Sequence, residues 1–87
     1  MEKLTDLENI GSTLAKKLNA NGVETELDLR ILGSERAILK IAAIEDSGAC
    51  INMLYALEGA IQGIRWHNLS AGKKQELLDF YRLMVAK

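Results

Sequence analysis

The chain has 87 residues, a net charge of −1 at pH 7, 48% hydrophobic and 26% charged residues, and one cysteine. That length fits a single domain over residues 1–87, the composition excludes a disordered chain, and the charge argues against a protein that lives on phosphate contacts, which normally carries a basic excess. One cysteine cannot close an internal disulfide, no secretory h-region follows Met1, and no apolar run nears the roughly 18 residues that span a bilayer, so a cytoplasmic protein with no membrane contact is expected.

No proline occurs, and glycines do the punctuation. Residues 4–7 allow a single turn. Residues 11–21 read as the first full helix, with Leu14, Ala15 and Leu18 at helical spacing, and Asn21-Gly22 as its stop. Thr25-Glu26-Leu27-Asp28 has the capping-box pattern and opens a second, short helix, with Leu29 and Leu32 inward and Gly33 at its end. Ser34 and Glu35 start a third at once, its buried stripe being Ile38, Ile41 and Ala42. Asp46-Ser47-Gly48 is a break.

The fourth helix reads as the centre. Cys50, Leu54, Leu57, Ile61 and Ile64 alternate by four and three, and Met53 and Ala60 widen the stripe. Beside it runs a row of small residues, Ala56, Gly59, Ala60 and Gly63. Glycine inside a helix costs about 1 kcal/mol relative to Ala, so the row predicts close approach of another backbone, that of the first or last helix. Residues 63–69 connect, carrying Trp66 and His67. Ser70 caps a fifth helix over 71–86, with Leu77, Phe80, Tyr81 and Met84 as its apolar face. No stretch alternates with period two for long enough to form a strand. The fold class is therefore all-α, a compact bundle of about five helices.

Leu7-Glu8-Asn9-Ile10-Gly11, followed by Ala15 and Leu18, has the form of a helix-hairpin-helix turn in the N-terminal half. Such a turn needs residues tolerant of positive φ at its ends and an apolar plug, here Ile10, in its middle. The amides of Gly11, Ser12 and Thr13 would then face outward from a helix N-terminus, with Lys16 and Lys17 one turn on, as a candidate phosphate or DNA contact. Asn9 replaces the usual first glycine of this turn, which would put a side chain where a phosphate backbone approaches. With one turn and an acidic balance, a structural role is favoured and nucleic-acid binding would be weak.

The whole chain resembles the C-terminal domain of the TfoX/Sxy family of bacterial competence regulators. The carriers are Asn9-Ile10-Gly11, Ala15, Leu18, Gly22-Val23-Glu24-Thr25, Leu29 and Gly33, then Cys50-Ile51-Asn52-Met53-Leu54-Tyr55-Ala56-Leu57-Glu58-Gly59-Ala60, followed by Gly63, Trp66 and Leu69. Glu8 stands where the family often has Pro. The resemblance implies a helix-hairpin-helix-like domain that full-length members carry beside an additional N-terminal domain, so this chain is expected to be a stand-alone copy. Full-length members promote transcription of competence genes, so the resemblance implies a regulatory module, although a free-standing copy need not share the competence role.

Chemistry-bearing residues are few. Asn52, Tyr55 and Glu58 on the fourth helix, with Trp66, are candidates for partner contact or for structural polar bonds, the second being favoured because buried polar groups are normally satisfied. One Cys and one His cannot supply a zinc site. A Cys50 thiol with His67 as base is far less expected than Cys50 as a small buried hydrophobe. An aromatic content of 5% makes Trp66 a core lid before a base-stacking platform. Gly59-x-x-x-Gly63 matches the membrane dimer motif, but Glu58, Gln62 and Arg65 on that helix exclude it. No acid–base pair, Walker loop or dinucleotide fingerprint occurs, so neither catalysis nor a cofactor is expected. The expected function is a non-catalytic interaction module with a protein partner, the alternative a weak DNA-binding module. Oligomeric state is left open.

Overall fold

The structure, a computed structural model, describes residues 4–44 and 48–86. Its described part holds five α-helices: α1 (Ser12–Ala20), α2 (Glu26–Leu32), α3 (Ser34–Ala42), α4 (Ile51–Gln62) and α5 (Ala71–Val85). Two short 3₁₀ turns, Leu4–Asp6 and Trp66–Asn68, precede α1 and α5. The fold is the expected all-α bundle. Of the break expected at 46–48, Asp46 and Ser47 lie outside the described residues, while Gly48 has a φ of 72°.

Local chemistry sets the helix ends. At Thr25 the capping box is complete: the Asp28 N–H donates to Thr25 Oγ1 at 3.1 Å, and Asp28 Oδ2 accepts from the Thr25 N–H at 3.2 Å. Ser70 Oγ accepts from the Lys73 N–H at 3.0 Å and so caps α5. Helices α1 and α4 both finish in the paired-bond arrangement that a left-handed glycine allows. After α1 the Val23 N–H reaches Leu18 O and the Gly22 N–H reaches Asn19 O; after α4 the Ile64 N–H reaches Gly59 O and the Gly63 N–H reaches Ala60 O. Gly63 is thus the glycine that ends α4, not a member of its close-packing row.

The core is one cluster. Leu18, Leu29, Ile38, Ile41, Leu54, Leu57 and Leu77 are its largest fully buried side chains, so every helix contributes. Helix α4 lies in the middle, touching α2, α3, α5 and the second 3₁₀ turn, whereas α1 packs on α3 and the first 3₁₀ turn. Two expectations about burial fail. Ala42 is exposed and Ala37 takes its place in the core, because α3 turns the face carrying 34, 37, 38 and 41 inward. Cys50 is exposed, not buried: it is the extended residue ahead of α4, and its carbonyl accepts the first helical bond from Leu54 while its side chain stays outside the stripe. Ile61 and Ile64 are half-buried against the core.

Candidate functional site

The N-terminal turn is built around Asn9. Its φ of 68° makes it the one non-glycine residue with left-handed backbone among the described residues, a conformation asparagine tolerates better than most. Ile10 beside it is buried in the core. The side chain of Asn9 does not stand outward where a phosphate would approach. It points into the bundle, where Nδ2 donates to Ile64 O at 2.9 Å and to Ala56 O at 3.4 Å. Oδ1 accepts from the Trp66 N–H at 3.2 Å. One amide thus clamps the turn to α4 and the connection after it through three main-chain groups.

This clamp explains the glycine at position 59. A Cβ there would lie 2.5 Å from Asn9 Nδ2, 2.8 Å from Ile64 O and 3.1 Å from the Trp66 Cα. The close approach foreseen from the small-residue row is real, but the partner is the Asn9 side chain and the α4 terminal loop, not the first or last helix.

Outward from Asn9 lies the predicted anion contact. Gly11, Ser12, Thr13 and Lys16 are exposed, and Gly11 precedes α1 with no side-chain cap. Lys17 is half-buried and runs the other way, its Nζ 3.9 Å from where a Cβ of Gly48 would be. The two lysines therefore do not converge on the α1 N-terminus.

The remaining candidates divide. Asn52 is exposed on α4. Glu58 is bonded inside the fold: Oε1 accepts from Ser34 Oγ at 2.7 Å and Oε2 from Gln62 Nε2 at 2.8 Å. Ser34 is buried and is the first residue of α3, so the Glu58 carboxylate sits at the positive end of that helix. Tyr55 and Trp66 stack with ring centroids 5.6 Å apart, and His67 stacks on Trp66 at 3.9 Å. Lys74 completes this group, with Nζ 5.8 Å from the Trp66 ring and donating to His67 O at 3.1 Å.

Two surface grooves flank α2 and α3. The first, about 300 Å³, is lined by Ser34, Glu35, Arg36, Glu58, Lys73 and Glu76 among others. It is polar and internally paired: the hydrogen bond from Lys73 to Glu76 raises the Lys73 pKa, with the more distant Glu58 and Glu35 adding to it. The second, about 270 Å³, has Val23, Ile31 and Leu32 as its apolar part and Arg36 and Lys40 on its rim. Beside it Leu27 and Ile31, one turn apart on α2, are 64% and 73% exposed. This pair carried no mark in the sequence, since both sit in a short helix whose apolar residues outnumber its buried positions. Among the described residues no group of three or more His, Cys, Asp or Glu could hold a metal ion, and no helix is long and apolar enough to cross a membrane.

Comparison with known proteins places the chain. Protein Sxy of Escherichia coli strain K12 is 34% identical over 86 residues, which is 99% of this chain and 41% of that protein. The chain therefore spans about two fifths of the length of this curated relative. A crystal structure of an uncharacterized protein from Listeria monocytogenes, triclinic form, superimposes with a TM-score of 0.91 at 44% identity, covering 95% of this chain and 93% of that one. A tetragonal form of a Listeria monocytogenes protein of unknown function gives a TM-score of 0.86 at 45% identity, covering 92% of this chain and 98% of the other. The TfoX C-terminal domain family matches residues 1–81, and the chain belongs to that family.

Proposed function

We infer that this domain is a non-catalytic regulatory module, related to competence regulators, that works in the cytoplasm by contact with another protein. The observation that carries this reading is the exposed pair Leu27 and Ile31 on α2, an apolar face that nothing in the chain covers among the described residues. Membership of the TfoX C-terminal domain family and the likeness to Sxy support a regulatory role. The polar candidates lend little to catalysis: Glu58 is engaged by Ser34 and Gln62, and Trp66 is flanked by Tyr55 and His67.

The test is affinity capture from a bacterial lysate with the immobilised chain. A defined protein should be retained by the wild type. Repeated capture of nothing above background contradicts the reading.

A second reading, weak DNA contact, is favoured by the exposed Gly11, Ser12 and Thr13 at an uncapped helix start, with exposed Lys16 one turn on. A titration of the isotope-labelled chain with duplex DNA at low salt should shift amides of residues 9–17 if it holds. Lys16→Glu should then weaken binding equally for all sequences, because phosphate contacts carry no base information. Absence of shifts in that segment removes it.

A further inference from the structure

We propose that the α2–α3 face is a docking site for an amphipathic helix of another protein, one that carries two apolar residues a turn apart and carboxylates along one flank. The proposal rests on the protein-contact reading above and adds the chemistry of the partner.

Three observations converge on this face. The first is apolar. Leu27 and Ile31 stand one turn apart on the outer side of α2 and are more than half exposed, while the same helix buries Leu29 completely. Exposing both in a seven-residue helix leaves a ridge, not a scattered side chain. The second is shape. The exposed Ile31 lines the second groove together with the buried Val23 and the half-buried Leu32. Its volume of about 270 Å³ has room for aliphatic side chains laid against Ile31.

The third observation is charge, and it chooses the partner. Arg36 and Lys40 are four residues apart on α3, so they share one helix face, and both line this groove and are exposed. Neither is in an ion pair among the described residues, although Arg30 pairs with Glu26 and Lys73 with Glu76. The acid of the groove, Asp28, is already committed: its Oδ2 accepts from the N–H groups of Glu24 and Thr25 at 3.1 and 3.2 Å. What this face offers outward is the apolar pair Leu27 and Ile31, the second of which lines the groove, and on the groove two cations in no ion pair among the described residues. A helix laid in it gains area from two aliphatic anchors and complementarity from carboxylates facing Arg36 and Lys40. A nucleic acid would use the cations but not Leu27 and Ile31. A basic partner would meet repulsion.

The test uses the full chain, isotope-labelled, and a short synthetic helical peptide with two leucines one turn apart and glutamates on the adjoining flank. Two control peptides replace the glutamates by lysine or the leucines by alanine. Amide shifts should cluster at residues 21–40 with the acidic peptide alone, and the double variant Arg36→Glu, Lys40→Glu should bind it about tenfold more weakly or worse. Ile31→Ser should do the same. Both variants alter exposed side chains, so their folding is checked by the unchanged remainder of the spectrum.

Equal binding of the lysine peptide, shifts centred elsewhere, or no response at all overturns the proposal. So does a dimer detected by light scattering that Ile31→Ser dissolves, since a second copy would then occupy the face. Lysate capture by the Ile31→Ser chain separates this failure from that of the function itself. A protein retained equally by wild type and variant keeps the interaction module and removes this site.

Discussion

At the scale of single residues, Asn9 has the largest structural consequence for its size. Its left-handed backbone could be met by glycine, but its amide makes two donations and one acceptance that glycine cannot replace. Asn9→Gly should cost about 1–3 kcal/mol, the range for leaving part-buried backbone groups without partners. Asn9→Asp should cost more than Asn9→Gly, because a carboxylate would face the carbonyls of Ala56 and Ile64. Urea unfolding of the three chains orders them. Gly59→Ala is the complementary change. Helix propensity alone favours alanine by about 1 kcal/mol, yet a Cβ 2.5 Å from Asn9 Nδ2 must displace the clamp. The variant should therefore be net destabilised. In an Asn9→Gly background its penalty should shrink without vanishing, since Ile64 O is still 2.8 Å away. Equal penalties in both backgrounds would disconnect the two residues.

At the scale of elements, what was legible in the sequence is what depends on near neighbours in the chain. The capping box at Thr25, the glycine stops at Gly22 and Gly33, the Ser70 cap and the order of five helices are all local chemistry, and all are present. Thr25→Ala should cost about 1 kcal/mol by thermal unfolding, a value expected for loss of a helix cap. What failed was periodicity carried too far. The four-three alternation from Cys50 through Ile64 continues past both ends of α4, so it places Cys50 on the core stripe although the helix starts after it. Helix α3 shows the same limit on a smaller scale, where Ala37 and Ala42 are chemically alike and the packing angle alone decides which is buried.

The Asn9 clamp had a fainter trace, an asparagine at a glycine position and an unexplained glycine within a helix. Pairing them needs contact between positions 9 and 59, far apart in the chain, which no periodic pattern encodes. The α2 face was missed for a different reason. Leu27 and Ile31 look like any other aliphatic residues until the fold fixes which side of a short helix faces the core.

At the scale of the whole molecule, the turn at Asn9-Ile10-Gly11 serves the fold, and the α2 face is the surface proposed for partner contact. Asn9 and Ile10 are used inward, in the clamp and the core, while Leu27 and Ile31 are left outward. Replacing both with serine should change stability by no more than about 0.5 kcal/mol each, as for exposed positions, while removing partner binding. A fall of several kcal/mol on denaturation would mean that the face is buried in the folded chain.

The most direct measurement places a photo-cross-linking amino acid at position 27 in one chain and position 12 in another, each expressed in the bacterial cell and irradiated. A discrete protein adduct should form from position 27, and neither a protein nor a DNA adduct from position 12. An adduct with DNA from position 12, and none from position 27, would contradict a protein-contact module and move the function to the start of α1.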